Sequence, residues 1–381
     1  MKKQTFLTTA LAAACLALAA QAQAETIKIA ELVELSGAGA TAGTNFKNGV
    51  EMAVKEINAA GGILGKKIET VTSDTQSNPG IAKGLAQKAV DDNVFAVFGP
   101  VFSGSILVSM AETKRAEIPN FTGGEAASIT QQGNPYIFRT SFTQTTAMPK
   151  VARYIANNLK AKNVAVIFVN NDFGKGGRGA ITKALEALGT KVVADISTDS
   201  GQVDFSAPVL KAKQSNADAV FVYSNEEESA RALRELRKQG WTKPIVGETT
   251  LTGQKVIELA GDAANGAVAH VGLTIDAPNP LMLKFKAKFY QDYKYFSDHN
   301  GIKGYTGVYL LKNAIEKTGK LDRVAVAKML HGLTVTAAKE PGVIMDVSVD
   351  ANGDLDRESF IVEVKDGKQV VKETLPALSK K

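Results

Sequence analysis

The stretch Val164-Ala165-Val166-Ile167-Phe168-Val169 is unbroken apolar and largely β-branched. Such a run suits a strand buried on both faces, as in a parallel sheet covered by helices, rather than a strand with one wet face. The chain around it keeps the same rhythm. Residues 178 to 188 carry a helical pattern, 191 to 196 read as a strand, 208 to 213 as part of a helix and 219 to 223 as a strand again. Short β-branched runs alternating with amphipathic helices predict an α/β chain with parallel sheets.

Upstream, the same succession has already been used once. Residues 26 to 33 read as a strand, and Phe46, Val50, Ala53, Val54 and Ile57 recur at helical spacing until Gly61-Gly62 supplies a stop. Strands follow at 67 to 72, 94 to 98 and 118 to 121, with a helix at 79 to 90. Shifting the chain by 125 positions superposes Asp74 on Asp199, Ala82 on Ala207, Leu85 on Leu210, Lys88 on Lys213 and Val97 on Val222. Matches at one offset predict two lobes built on one plan. Helical stretches at 281 to 296 and 305 to 318 come after the second lobe has its sheet, so they should return to cover the first. Parallel sheets place ligand loops at the carboxyl ends of their strands. Those loops are 35 to 44, 99 to 105 and 121 to 126 in one lobe, and 170 to 178, 224 to 229 and 247 to 252 in the other. Facing one another, they line one cleft.

At the start of the chain, Lys2 and Lys3 precede an apolar run from 6 to 20, and Ala22-Gln23-Ala24 places small residues at −3 and −1 of a cleavage site. An export signal cleaved after Ala24 is expected, with the mature chain in the periplasm. The run is shorter than the ~20 residues that span a bilayer. Cys15 lacks the leucine three residues earlier that marks a lipoprotein signal. Removing 24 of 381 residues leaves 357, more than one core usually serves. Lys+Arg 45 against Asp+Glu 39 gives +6, and losing Lys2 and Lys3 makes it +4. The basic residues are dispersed, as on the solvated face of 231 to 238, and form no stripe for nucleic acid. Cys15 is the only cysteine, so the mature chain has no disulfide.

Gly174, Gly176 and Gly179 spell GxGxxG before a helix, with Asp195 near the end of the next strand. The strand before them ends too early for a dinucleotide fingerprint, whose turn follows its strand at once, so no nucleotide is expected. His270, His299 and His331 lack metal-ligand spacing, and neither HExxH nor GxSxG occurs. No metal or other cofactor is expected. No nucleophile has a recognisable base, so no enzyme is expected, and a periplasmic hydrolase stays open as the alternative class.

Several short pieces run in one order along nearly the whole mature chain. They are Leu35-Ser36-Gly37, Asn48-Gly49 with Ala53, Glu56 through Gly65, Asp74 with Pro79, Phe98-Gly99-Pro100 with Ser103, Phe138-Arg139-Thr140, Tyr154, Asp172-Phe173-Gly174, Asp204-Phe205-Ser206, and Asp346 through Gly353-Asp354. The ordered set resembles the periplasmic substrate-binding proteins of branched-chain amino acid ABC transporters, with the type I binding-protein fold. The resemblance implies two Rossmann-like lobes with parallel central sheets, joined by a three-segment hinge crossing near 139 to 142, 272 to 276 and 341 to 347. Lobe one would take 25–140 and 275–342, and lobe two 141–274 and 343–381. It further implies a monomeric receptor that delivers a small-molecule ligand to an inner-membrane ABC permease.

The loop Gly99-Pro100-Val101-Phe102-Ser103-Gly104-Ser105 follows a strand and opens a helix, where free N–H groups beside serine hydroxyls favour an anion. Spacing alone is served equally by Ser103 or Ser105 acting as a helix cap. The resemblance implies that Ser103, with Phe102, Gly104, Ser105 and N–H groups near Gly124, holds a ligand carboxylate. Glu125 departs from the family and suits the start of its own helix. Glu248 falls near the family position that meets an ammonium group, or Thr249 if the pattern slips by one. Glu226 is a second candidate, or simply part of a solvated acidic helix start. Phe173 stands where the family has a tyrosine, Asn225 near another aromatic position, and Ala42 where a bulky aromatic closes the floor. A small floor leaves room, so an aromatic or other organic carboxylate or a short amide competes with a branched-chain or other apolar amino acid.

Overall fold

A computed structural model describes residues 26–378, so the expected signal and its cleavage after Ala24 lie outside the described residues. The first sheet comprises β1 (Ile27–Val33), β2 (Ile68–Asp74), β3 (Ala96–Phe98), β4 (Asn120–Thr122) and β5 (Ile137–Arg139), all parallel, in the order β2-β1-β3-β4-β5. The second begins with β6 (Asn163–Val169), β7 (Lys191–Thr198), β8 (Ala219–Tyr223), β9 (Ile245–Gly247) and β10 (Ala267–Val271) in the order β7-β6-β8-β9-β10. The two orders are the same order. The duplicated plan is therefore real at the level of topology, and Val164 through Val169 are all buried between helical layers.

Helices α1 (Ala40–Ala59), α2 (Pro79–Asp91) and α3 (Ser103–Arg115) belong to the first lobe. Helices α4 (Gln144–Arg153), α5 (Asp172–Glu186), α6 (Ser206–Gln214), α7 (Glu226–Lys238), α8 (Thr249–Thr252) and α9 (Gln254–Ala260) belong to the second. The spacing of Phe46, Val50, Ala53 and Ile57 gives α1 a continuous buried stripe. Helix α5 starts at Asp172 rather than 178, because the Asn171 side chain accepts from Gly174 N (2.9 Å) and caps it.

Helices α10 (Pro280–Tyr293), α11 (His299–Thr318) and α12 (Arg323–Leu330) return to the first lobe, as expected. Helix α11 lies against α1 at backbone distance: a Cβ on Gly49 would stand 1.9 Å from the Gly301 carbonyl oxygen. It starts at His299 rather than 305, capped by Asp298, which accepts from Asn300 N (2.8 Å) and Gly301 N (3.3 Å).

Strands β11 (Thr334–Val335), β12 (Val347–Val349) and β13 (Leu355–Asp356) form a small antiparallel sheet. Then β14 (Ser359–Lys365) and β15 (Lys368–Leu375) extend the second sheet beyond β10 in antiparallel sense. Two chain crossings lie between β5 and α4, at 140–143, and between β10 and α10, at 272–279. The third lies between β13 and β14, at 357–358, later than the expected 341 to 347. Residues 347 to 356 are held to the first lobe: Arg139 N donates to Gly353 O (2.8 Å), Arg139 Nε donates to Asp354 Oδ1 (2.6 Å), and Val347, Val349 and Leu355 share a core with Phe121 and Phe138. The fully buried Arg139 also donates to Gly124 O (2.6 Å) and Ala126 O (2.9 Å), pinning the loop after β4. Among the described residues no helix is long and apolar enough to cross a membrane.

Candidate functional site

Loops from both lobes enclose a cavity of about 250 Å³. Five of the six expected loops reach it through Ala42, Phe102 to Ser105, Gly124 and Glu125, Phe173, and Asn225 and Glu226; the sixth reaches it only through Thr250. The lobes touch across it. Tyr223 Oη donates to Glu125 Oε2 (3.0 Å), and Asn300 Nδ2 donates to Glu226 Oε1 (3.4 Å).

At the β3–α3 junction, Val101 N and Phe102 N donate to the buried Glu34 carboxyl at 3.0 and 3.1 Å. Burial pushes that carboxyl up to about 7. The N–H groups of Ser103, Gly104 and Ser105 remain, the first turn of a 13-residue helix, with no intrahelical carbonyl to take them. All three residues line the cavity. Ser103 Oγ accepts from Ala126 N (3.3 Å), which leaves its own proton available, and the buried Ser105 Oγ has no partner among the described residues. An anion at this point meets several donors and the positive end of a helix dipole.

Glu125 does not cap its own helix start, because the following turn has no side-chain cap. It is buried between the lobes, accepting from Tyr223 and facing Lys303 Nζ at 3.4 Å. Burial and the neighbouring Glu248 carboxylate push it up to about 7, against the pull of Lys303 and Tyr223. Tyr223 Oη also accepts from Gln144 Nε2 (3.1 Å), and its ring stacks on Phe173 with centroids 4.1 Å apart. Gly177, which lies between the glycines that mimic a dinucleotide fingerprint, makes room for this packing: a Cβ there would stand 2.0 Å from the Tyr223 ring. Arg178 Nε donates to Asp195 Oδ1 (3.1 Å), so that carboxylate is engaged within the lobe.

Glu226 is not part of a solvated helix start; it is buried and lines the cavity, pushed up to about 7 by burial and by Asp298. Asn225 lines it too, its Nδ2 donating to Glu228 Oε1 (3.2 Å). Glu248 and Thr249, expected at the ligand, do not line the cavity. Glu248 accepts from Thr249 N (2.5 Å) and shares a hydrogen bond with His270 Nδ1 (3.1 Å), whose imidazole is held down at about 3 by burial and Lys150.

Sequence reasoning missed His299, Asn300 and Lys303, which form the α11 face of the cavity. Lys303 Nζ reaches Gly123 O (3.3 Å), Glu125 Oε1 (3.4 Å) and Asn300 Oδ1 (3.4 Å). The signal that locates them is Asp298 as a cap residue, which moves the helix start forward onto these side chains. Glu226, Asp298 and His299 bring one possible metal-ligand atom each within 4.8 Å of one another.

A family model described as periplasmic binding protein matches residues 26–369. The chain belongs to the periplasmic binding protein family. This binding protein is 29% identical over 346 residues to the leucine-, isoleucine-, valine-, threonine- and alanine-binding protein of Pseudomonas aeruginosa, covering 89% of this chain and 90% of the relative. The solved branched-chain amino acid transporter substrate-binding protein of Streptococcus pneumoniae, in complex with isoleucine, superposes with a TM-score of 0.84 at 26% identity, over 92% of this chain and 100% of that one. A solute-binding protein of an ABC transporter from Rhodopseudomonas palustris, in complex with 3,4-dihydroxybenzoic acid, superposes at 0.85 with 23% identity, over 93% and 99%, and shows the shared fold.

Proposed function

We propose that this binding protein is an extracytoplasmic receptor that captures one small carboxylate-bearing ligand between its lobes and delivers it to an inner-membrane ABC permease. The observation that carries the reading is the turn Ser103–Gly104–Ser105, with three N–H groups and an unpartnered hydroxyl at an interlobe cavity. A branched-chain or other apolar amino acid takes first place, supported by the names of the Pseudomonas and Streptococcus relatives. An aromatic carboxylate is the second reading, favoured by the flat Phe173–Tyr223 stack and the small Ala42 floor. The receptor works as a monomer in the periplasm, exported by a signal cleaved after Ala24. Binding without turnover is supported by the family model and by the binding-protein relatives. The two lobes divide the chain at its three crossings, the last moved to 357–358.

A thermal-shift screen of leucine, phenylalanine, benzoate-type acids and short amides tests the reading. Ligand at 100 times its dissociation constant stabilises by about 2.7 kcal/mol. A melting temperature unmoved by every carboxylate sinks it.

A further inference from the structure

Glu226 opens α7 on the second lobe, while Asp298 and His299 stand at the start of α11 on the first, and the three converge within 4.8 Å. All are more than nine-tenths buried. Glu226 receives one side-chain hydrogen bond, from Asn300 Nδ2 at 3.4 Å, which is long for an interaction that must offset the burial of a carboxylate. His299 is held neutral by burial and by Lys303, and its Nδ1 has no partner among the described residues. Lys303 is the cation of this wall, and its N–H groups already go to Gly123, Glu125 and Asn300. Asp298 already accepts from Asn300 N, Gly301 N and Asn300 Nδ2, so the acceptors short of donors are Glu226 from one lobe and His299 from the other.

We propose that a protonated nitrogen of the ligand, the ammonium group if the ligand is an amino acid, sits among Glu226, Asp298 and His299, and that Glu248 takes no part in holding it. The proposal rests on the reading of this cleft as a receptor site for a small carboxylate. An ammonium group offers N–H donors to Glu226 and His299, with the Asp298 carboxylate adding negative charge beside them, and its charge answers the buried Glu226. Because the acceptors come from both lobes, the nitrogen would tie the lobes together, whereas Glu248 is occupied by Thr249 N and His270. A divalent cation would carry twice the charge against Lys303 and two helix N-termini.

Calorimetry on the mature protein compares leucine and phenylalanine with their deamino twins, 4-methylpentanoate and 3-phenylpropanoate, and with their decarboxylated twins, 3-methylbutylamine and 2-phenylethylamine. The readout is the affinity ratio of amino acid to deamino twin. In Glu226→Gln this ratio should fall about 10- to 100-fold, the loss of a charged hydrogen bond, and in Glu248→Gln it should stay unchanged. His299→Ala reads the same ratio should Glu226→Gln fold poorly. An unchanged ratio in both Glu226→Gln and His299→Ala overturns the proposal, as does wild-type protein that binds acids lacking nitrogen as tightly as amino acids. The latter result leaves the carboxylate receptor standing. Binding of the amines but no carboxylate keeps the nitrogen cage and sinks the carboxylate reading; binding of nothing in the panel sinks both. Zn²⁺ or Mn²⁺ that stabilises chelator-stripped wild type but not Glu226→Gln overturns the proposal in favour of a metal site.

Discussion

Replacing Tyr223 by Phe tests whether the interlobe hydroxyl closes the receptor. The phenol donates to the Glu125 carboxyl at 3.0 Å and accepts from Gln144 Nε2 at 3.1 Å, in full burial. Phenylalanine keeps the 4.1 Å stack on Phe173, so packing is preserved and polarity alone is removed. Gln144 Nε2 retains the Phe173 carbonyl at 2.8 Å, and Glu125 retains Lys303 at 3.4 Å. Two hydrogen bonds are lost, and the one that crosses between the lobes, to an ionisable group, is worth about 1.5 to 3 kcal/mol. Glu125 and Tyr223 sit on different lobes, so this loss falls on the closed form and weakens ligand affinity about 10- to 100-fold. Calorimetry gives the affinity, and small-angle scattering with saturating ligand gives the degree of closure. Tyr223→Phe that binds within twofold of wild type refutes the assignment of this hydroxyl as a latch.

Ser103→Ala should weaken binding of the carboxylate by about 1.5 to 3 kcal/mol, measured by calorimetry, because a hydroxyl facing a charged group is lost. Glu125→Gln should gain stability relative to wild type as pH rises from about 4.5 through about 7. The raised carboxyl keeps its proton in the folded protein over that window and loses it in the unfolded chain, so wild-type stability falls with pH while the amide does not titrate. Urea unfolding at pH 5 and pH 8 checks the sign. Gly177→Ala should destabilise by about 1 to 3 kcal/mol, because its Cβ would stand 2.0 Å from the Tyr223 ring; equal denaturation midpoints would contradict the packing.

The core of the fold was legible wherever burial and apolarity coincide. Val164 through Val169 read correctly because a strand covered on both faces has no polar positions to confuse the pattern. The site was legible on the α3 side, where loop and helix start adjoin in sequence. It failed on α11, because His299, Asn300 and Lys303 are polar yet buried, and a hydropathy reading places such residues in solvent. Gly301 likewise resembles a turn residue, but serves as a point of close approach to Gly49. Glu248 stands off the cavity for a different reason: spacing fixes a residue to a loop, while the Thr249 N–H and His270 decide which way its carboxylate points. The late third crossing was hidden because the small sheet at 334 to 356 is held by Arg139, a partner far away in sequence.

The backbone contact between Gly49 and Gly301 also bears on how the receptor could be re-engineered. Helix α11 has one edge clamped against α1 without side chains between, and it carries Asn300 and Lys303 on the wall of the cavity. The clamp indexes the helix like a keyed shaft, fixing both its rotation and its axial position. Libraries aimed at new ligands can therefore vary 299, 300 and 303 while the frame stays still, whereas a one-residue insertion between Asn300 and Gly301 would turn His299 and Asn300 by about 100° relative to the clamp and carry them off the wall.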